Sequence, residues 1–393
     1  MDITIQPHKL TGSIAAVPSK SQAHRILICA AFADKATVVH CPQTSNDIES
    51  TVQCLRALGA EIQKNEDGYR ISPVVTLPKH AQMLCGESGS TLRFLLPVVG
   101  ALGIDCTFSM EGRLAERPLS PLWEVLEDHG CKLKWLNKTT ILCSGKLRAG
   151  DYDIAGNVSS QFISGLMMAF PLLSGHSTLR ITGPIQSKPY IDITADVLSK
   201  FGIDSAFHGS YRSPGDMTVE GDWSNAAFFL GANAIGNRVS LKGLDNSSCQ
   251  GDKDISNFLN KLKSYGSLDV SNNPDLVPIL AVVAAANNGA LFTSIARLRL
   301  KESDRVAAIV AMLSGLGITV QATEDTLRIY PGTITGGIVD SFGDHRIAMA
   351  AAIAATVAFG TVAILDAGCV AKSYPGFWQD YRTLGGHYEF HLR

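Results

Sequence analysis

The stretch Leu-Arg-Ala-Leu-Gly-Ala-Glu-Ile, at residues 55–62, joins the end of an amphipathic helix to the start of a strand. The same pattern returns five times along the chain, around Gly130, Gly202, Gly266, Gly317 and Gly385. Glycine adopts the left-handed conformation that closes a helix without steric cost, and the alternating residues after it are typical of a strand. Each copy therefore predicts an outer helix that ends at its glycine and is followed by a strand.

A second set of helices alternates with the first and is far more apolar. These helices are predicted to begin near Ser21, Thr91, Ser160, Ser224, Asp275 and His345. A helix that is apolar on nearly every side is buried. Each of six units would thus have one core helix, one outer helix and short strands, with three units in each of two α/β domains.

Length agrees with this division, since 393 residues exceed one ordinary core at about 150 residues per domain. The best candidate for a linker is 210–216, where Gly, Pro and Ser lie close together between the third and fourth units. The first strand, at 3–6, could belong to either domain.

Composition excludes several classes of protein. A hydrophobic content of 46% with 18% charged residues indicates a globular chain. The net charge is −2, and no basic stripe or polybasic segment is present, so binding to nucleic acid or to a membrane surface is not predicted. The nine cysteines form no C-x-x-C pair, so they are expected to be reduced and to bind no metal. Without a leader pattern or an apolar run of about 20 residues, a cytoplasmic protein is predicted.

Polar residues are concentrated where the core helices begin. Serine and aspartate there are explained by N-capping, which at any single site is the more ordinary interpretation. Capping does not explain Lys20, Arg25, Arg93 and Arg346, because cations in a first turn oppose the helix dipole. Helix starts attract anions, and arginine pairs bidentately with carboxylate and phosphate. Small anionic ligands are therefore expected, and further basic clusters lie at 113–117, 187–190, 299–305 and 371–376.

Other chemistries lack their motifs. The chain has no G-x-x-x-x-G-K-[ST] loop, no G-x-G-x-x-G and no H-E-x-x-H, and residues 88–90 lack the G-x-S-x-G elbow. Nucleotide hydrolysis, dinucleotide binding and zinc hydrolysis are thus disfavoured, and no cofactor or metal is predicted.

Taken in order, these clusters form a familiar series. They are Ser19-Lys20-Ser21 with Arg25, the Gly89 turn, Arg117-Pro118, Ser159-Ser160-Gln161, Ser187-Lys188-Pro189-Tyr190, Pro274-Asp275, Lys301-Glu302-x-Asp304-Arg305, Asp344-His345-Arg346 and Lys372. Over essentially its whole length, the chain resembles the 5-enolpyruvylshikimate-3-phosphate synthase family of enolpyruvyl transferases.

The resemblance implies a two-domain inverse α/β barrel of six βαβαββ units, closing around the substrates. It places three units in an N-terminal domain at 15–216 and three in a discontinuous domain formed by 1–14 and 217–393. It also implies transfer of the enolpyruvyl group of phosphoenolpyruvate to shikimate 3-phosphate by a protein predicted to be a monomer.

Site residues follow from the same resemblance. Those implied for shikimate 3-phosphate are Lys20, Ser21, Arg25, Ser159, Ser160, Gln161, Ser187, Asp275 and Lys301. Those implied for phosphoenolpyruvate are Lys20, Gly89, Arg117, Gln161, Arg305, Arg346 and Lys372. Asp275 is the implied base for the attacking hydroxyl, and Glu302 with Lys20 is implied to protonate the methylene carbon.

The chain departs from the family pattern at three positions. Glu87 stands where the family often has asparagine, Phe94 where it has proline, and Arg297 where some members have asparagine; none of the three is given a catalytic role. Gly89 leaves room for an analogue of phosphoenolpyruvate, which predicts sensitivity to glyphosate.

Two alternatives remain open from the sequence. The related transferase of cell-wall synthesis acts on a nucleotide sugar and uses a loop cysteine, and no cysteine lies between Ser109 and Leu119. A non-catalytic binder of a phosphorylated metabolite would keep the cations, but Asp275 and Glu302 would repel its ligand.

Overall fold

The computed structural model describes residues 1–391, which form two compact units. One unit is Pro18–Glu220, called here the 18–220 unit; the other, the discontinuous unit, is Met1–Val17 together with the chain from Gly221 onward. The predicted boundaries lie three and four residues earlier, at 14/15 and 216/217. The difference arises because the strand Thr11–Ala15 stays paired in the discontinuous unit and the strand Asp216–Thr218 in the 18–220 unit.

Strands and helices alternate along both units. The strands are β1 Asp2–Gln6, β2 Thr11–Ala15, β3 Thr37–His40, β4 Glu61–Asn65, β5 Gly68–Ser72, β6 His80–Gly86, β7 Asp105–Met110, β8 Cys131–Asn137, β9 Thr140–Gly145, β10 Asp151–Ala155, β11 Thr178–Thr182, β12 Asp216–Thr218, β13 Arg238–Lys242, β14 Ser267–Asp269, β15 Ala290–Thr293, β16 Val320–Ala322, β17 Thr326–Ile329, β18 Gly337–Asp340, β19 Val362–Leu365 and β20 His387–His391. The α-helices are α1 Lys20–Ala31, α2 Asn46–Ala57, α3 Gly89–Leu102, α4 Leu122–Asp128, α5 Ser160–Ala169, α6 Lys188–Lys200, α7 Trp223–Ala234, α8 Ile255–Lys261, α9 Val277–Ala286, α10 Arg305–Gly315, α11 His345–Ala355 and α12 Phe377–Thr383.

The sheets show the internal repeat. The 18–220 unit has the orders β12-β3-β5-β4 and β6-β7-β9-β8 and the pair β10-β11, and the discontinuous unit has β14-β15-β17-β16, β18-β19-β1-β20 and the pair β13-β2. Every four-stranded sheet follows one pattern, with a parallel pair and then two antiparallel pairs. Four repeats thus have the full βαβαββ set, while the third and fourth stop after their outer helix.

The predicted core helices are buried. They are α1, α3 and α5 in one unit and α7, α9 and α11 in the other, and all eleven residues of α11 are buried. Close approach between core helices depends on glycine: a Cβ on Gly165 would lie 2.3 Å from the Arg93 carbonyl oxygen, and one on Gly231 would lie 2.4 Å from Ile279. Helix starts with their polar residues are therefore held by tightly packed, apolar helix bodies.

The glycine prediction is confirmed at five positions, since all the repeat glycines except Gly266 have a positive φ. Gly266 is an exception because α8 already ends at Lys261. After Gly202 the chain turns instead of forming the expected strand. Among residues 1–391, no helix is both long and apolar enough to cross a membrane.

Candidate active site

The 18–220 unit gathers one group of predicted site residues at the starts of α1, α3 and α5. Serine caps each of these helices: the side-chain oxygen of Ser19 accepts from Gln22 N, that of Ser88 from Thr91 N, and that of Ser159 from Gln161 N. Ser159 therefore caps α5 as a hydrogen-bond acceptor, and this bond leaves the proton of the Ser159 hydroxyl available for another acceptor. Ser160, the first residue of α5, is buried.

Lys20 has an aspartate partner that the sequence interpretation missed. The Lys20 ammonium donates to Asp47 Oδ2 at 2.8 Å, and both side chains are largely buried. Asp47 lies in the first turn of α2, which is capped by Ser45. An outer helix therefore supplies the carboxylate that holds Lys20 at the start of a core helix.

Arg25 is a buried cation whose hydrogen bonds go to neutral oxygen atoms. Its guanidinium donates to the hydroxyls of Thr194 at 2.6 Å and Ser164 at 3.2 Å and to the carbonyls of Ser21 and Tyr190. Its charged carbon also lies 4.7 Å from the centre of the Phe94 ring. Within residues 1–391 no carboxylate lies within 4.0 Å of Arg25. Burial lowers the pKa of Arg25, as expected for a desolvated cation without a carboxylate beside it.

Two arginines and a glutamine surround the Gly89 turn. Arg93 Nη1 donates to Gln161 Oε1 at 2.8 Å, and Gln161 Nε2 donates to Ser90 Oγ at 3.0 Å. A Cβ on Gly89 would lie 2.9 Å from Arg117 Nη1 and 3.0 Å from Arg93 Nη1. The turn therefore brings backbone close to two guanidinium groups, an arrangement suited to a small anion. Arg93 was noticed in the sequence but was not assigned to the site.

Ser187 ends the first group. It is buried and has a positive φ of 55°, an uncommon conformation for a residue other than glycine. Its neighbour Lys188 begins α6 and pairs with Asp192 one turn later. Strained backbone at a polar residue is typical of a functional position.

Asp275 is the centre of the second group, in the discontinuous unit. Its carboxylate lies 2.8 Å from Arg305, 2.9 Å from Arg346 and 3.4 Å from Lys301. Burial alone would raise the pKa of Asp275, but these three cations outweigh it and hold the pKa well below its usual range. Asp275 is therefore ionised at neutral pH.

Arg305 binds three carboxylates and is almost fully buried. Its Nε donates to Asp344 at 2.9 Å, its Nη1 to Asp275 and its Nη2 to Glu302. Asp344 also caps α11 by accepting from Arg346 N at 3.0 Å, as expected for an aspartate at a helix start, but its ion pair with Arg305 was missed in the sequence. Since a guanidinium has five donors, Nη1 keeps one N–H beyond its bond to Asp275.

Lys372 and Lys301 complete the basic residues. Lys372 Nζ donates to the Gly343 carbonyl at 2.7 Å, one residue before the cap of α11. Burial lowers the pKa of Lys301 to about 8, helped by Arg305 and Arg297 and opposed by Asp275. Lys301 thus changes charge close to physiological pH.

A further buried carboxylate, Asp252, was not singled out from the sequence. It accepts from Ser224 Oγ at 2.6 Å, and burial followed by the nearby charge of Asp275 raises its pKa to about 6. Asp252 lies in a short 3₁₀ helix at Gly251–Asp254, which carries no motif of its own.

The predicted site residues therefore form two groups, one in each unit. Comparisons with known proteins identify the family of the chain. A family model described as EPSP synthase (3-phosphoshikimate 1-carboxyvinyltransferase) matches residues 5–381. A 3-phosphoshikimate 1-carboxyvinyltransferase of Clostridium kluyveri is 40% identical over 414 residues, covering 98% of this chain and 97% of the relative. One of Clostridium novyi is 38% identical over 424 residues, covering 98% of each.

Solved structures give the same fold. EPSP synthase from Acinetobacter baumannii has a TM-score of 0.80 at 23% identity, over 99% of this chain and 100% of that one. The enolpyruvyl transferase NikO from Streptomyces tendae has a TM-score of 0.75 at 15% identity, over 99% and 98% of the two chains. These likenesses confirm the predicted fold class. Because the family match and the 40% identity both extend over nearly the whole length, the chain belongs to the EPSP synthase (3-phosphoshikimate 1-carboxyvinyltransferase) family.

Proposed function

We infer that this chain transfers the enolpyruvyl group of phosphoenolpyruvate to the 5-hydroxyl of shikimate 3-phosphate and releases inorganic phosphate. This is a step of the shikimate pathway, which leads to chorismate and the aromatic amino acids. One observation carries the inference: a chain of this family holds the partly buried carboxylate Asp275 among Lys301, Arg305 and Arg346. The cations suit anionic substrates, and the carboxylate suits proton transfer.

The reaction proceeds by addition and elimination. The 5-hydroxyl oxygen bonds to carbon 2 of phosphoenolpyruvate, its proton passes to Asp275, and the methylene carbon takes a proton from Glu302 with Lys20. In the resulting tetrahedral ketal, the methyl carbon returns a proton to Glu302 with Lys20 as the bond between carbon 2 and the phosphate oxygen breaks, which restores the carbon–carbon double bond and releases phosphate. Asp275 is a weak base because its pKa is lowered, so it works only when held against the hydroxyl.

Shikimate 3-phosphate is assigned to residues of both groups. They are Lys20, Ser21, Arg25, Ser159, Ser160, Gln161 and Ser187 with Asp275 and Lys301. Arg25 supports this assignment, because its hydrogen bonds go to neutral oxygens and its buried charge is left for an anionic ligand.

Phosphoenolpyruvate is assigned to Lys20, Gly89, Arg117, Gln161, Arg305, Arg346 and Lys372. The close approach of Gly89 to Arg117 supports a cradle for a carboxylate or phosphate group. Arg305 has one N–H group beyond those it donates to carboxylates. Its main contribution is therefore to hold Asp275 and Glu302 in place.

Binding of shikimate 3-phosphate is expected to weaken above pH 8. Lys301 loses its proton as pH rises through its pKa of about 8, and the neutral amine no longer attracts the ligand. The association constant should fall about tenfold for each pH unit above that value. Titration calorimetry between pH 7 and pH 9.5 measures it. The variant Lys301→Arg keeps its charge and should show no step; a flat profile for the unsubstituted chain would contradict the role of Lys301.

Substitution of Gly89→Ala is expected to weaken phosphoenolpyruvate binding. The new Cβ would press on Arg117 and Arg93, so their guanidinium groups must shift. The KM for phosphoenolpyruvate should rise about tenfold, and inhibition by glyphosate should weaken in parallel. Gly266→Ala is the matched control, because its Cβ would meet no atom within 4 Å. A KM within twofold of the unsubstituted value would remove Gly89 from the site.

The acceptor is tested by competition. Purified protein receives phosphoenolpyruvate with equal amounts of shikimate 3-phosphate and a uridine diphosphate N-acetyl sugar, and mass spectrometry identifies the products. We expect only shikimate 3-phosphate to gain the enolpyruvyl mass. A product on the nucleotide sugar would favour the cell-wall reaction. That reaction uses a loop cysteine, and the one exposed cysteine of the described chain, Cys249, lies outside the Ser109–Leu119 region. A monomeric state and a cytoplasmic location stay predictions, which gel filtration and fractionation test.

A further inference from the structure

A chain of hydrogen bonds lies one helical turn beyond Lys20 in the 18–220 unit. His24 Nδ1 lies 2.7 Å from Thr51 Oγ1, and Thr51 Oγ1 lies 2.7 Å from Thr91 Oγ1. Thr91 in turn donates to Ser88 Oγ at 2.7 Å. All four side chains are completely buried. The hydrogen bonds therefore join α1, α2 and α3 through their interior.

The protons of this chain have one consistent arrangement. The Thr91 hydroxyl has one proton, which goes to Ser88 at 2.7 Å or to the Asp47 carbonyl at 3.5 Å, so Thr51 donates to Thr91. Thr51 then accepts from His24, which places the imidazole proton on Nδ1. Burial, with Lys20 and Arg25 nearby, holds the pKa of His24 well below its usual range, so the ring is neutral. Its Nε2 is buried and has no hydrogen-bond partner within residues 1–391.

Helical spacing links this chain to Lys20. Lys20 and His24 are four residues apart on α1, and Asp47 and Thr51 are four residues apart on α2, so each pair shares one helix face. Two contacts thus connect the helices: Lys20 with Asp47 at 2.8 Å, and His24 with Thr51 at 2.7 Å. The second contact is completely buried and joins two neutral groups of α1 and α2.

We propose that His24 and Thr51 are positioning residues for the transferase. Their hydrogen bond sets where Asp47 holds the Lys20 ammonium, and the extension through Thr91 to the cap Ser88 fixes the start of α3. The inference rests on the proposed function, in which Lys20 contacts the substrates. Neither His24 nor Thr51 needs to contact substrate, because both act through the groups they hold.

The test compares Thr51→Val with Thr51→Ser. Valine keeps the shape of threonine but cannot hydrogen-bond, whereas serine keeps the hydroxyl. We expect Thr51→Val to weaken shikimate 3-phosphate binding about tenfold and to lower kcat by a similar factor, because a small misplacement of a contact group is sufficient for such a loss. Thr51→Ser should stay within twofold of the unsubstituted chain in both quantities.

A matched control separates positioning from stability. Thr37 is equally buried in the same unit, and its Oγ1 lies 2.7 Å from Ser213 Oγ. Thr37→Val should lower the melting temperature much as Thr51→Val does, yet leave binding and kcat unchanged. If Thr51→Val does not fold, Thr51→Ala removes the same hydroxyl without placing a methyl group against His24.

Binding in a Lys20→Met background completes the test. If Thr51 acts through Lys20, adding Thr51→Val to Lys20→Met should cause no further loss of affinity for shikimate 3-phosphate. An equal tenfold loss in both backgrounds, or unchanged binding and kcat in Thr51→Val alone, would overturn the proposal. Absence of phosphate release by the unsubstituted chain would instead reject the proposed function, so the two failures are distinguishable.

Discussion

The variant Asp275→Asn should lose about three orders of magnitude in kcat, which is within the range contributed by a positioned acid or base. Asparagine keeps the size of the side chain and an oxygen for Arg305 and Arg346, but it cannot take the proton of the attacking hydroxyl. Affinity for shikimate 3-phosphate should remain measurable. Single-turnover kinetics and calorimetry on the same sample measure the two quantities.

Asp254→Asn is the matched control for that substitution. Asp254 is an exposed aspartate of the same unit whose side chain makes one weak contact, 3.5 Å to Asn257. Its substitution should leave kcat unchanged. If Asp275→Asn instead weakens the binding of shikimate 3-phosphate severely and leaves kcat unchanged, Asp275 is a ligand and not the base. A chain that binds both substrates but never turns over would be the non-catalytic binder considered from the sequence.

Arg305→Met is expected to produce the largest loss of stability. Methionine fills a similar volume but leaves the carboxylates of Asp275, Glu302 and Asp344 without their shared cation. Removing one partner of a buried ion pair typically lowers the free energy of unfolding by about 3–5 kcal/mol. Urea denaturation followed by circular dichroism measures it.

Two further variants test the reason for that loss. Arg299→Met removes a partly exposed arginine whose ion pair with Asp304 is 3.4 Å long, so it should change the free energy of unfolding by less than about 1 kcal/mol. Asp344→Asn added to Arg305→Met should recover part of the stability, because Asp344 is completely buried and would no longer be an unpaired ion. A loss below about 1 kcal/mol in Arg305→Met would show that the carboxylates are not held by this arginine.

The repeat could be predicted because its signals are local. A glycine at a left-handed helix end and an apolar helix both act within a few residues, so periodicity located the six core helices. The prediction of a helix end followed by a strand was wrong at two of the repeat glycines. Gly266 lies beyond the end of α8 at Lys261, and the residues after Gly202 form turns.

Two cations of the candidate site were visible for a similar reason, since Lys20 and Arg346 lie in the first turn of their helices and oppose the helix dipole. Their partners were not visible. Asp47 is 27 residues from Lys20, and Asp344 is 39 residues from Arg305. Only the fold brings these pairs together. Asp344 also caps its helix, and that role is sufficient in the sequence to conceal its ion pair. Asp47 lies in the first turn of α2, where a negative charge already suits the helix dipole.

Hydrogen bonds between buried neutral groups were equally hidden. Thr51 lies in the amphipathic helix α2 and Thr91 in the apolar helix α3, and the sequence offers no charge or motif to connect them with His24. Their connection depends on three helices packing with defined register. The supporting residues of a site are therefore predicted less well than the charged residues that contact its ligands.

Enolpyruvyl transfer is tested by measuring phosphate release from purified protein, with phosphoenolpyruvate and shikimate 3-phosphate each omitted in turn. We predict steady release that requires both substrates and matches the loss of phosphoenolpyruvate mole for mole. Release that continues without shikimate 3-phosphate, or no release from protein shown to be folded, would contradict the assignment of this chain as the enolpyruvyl transferase.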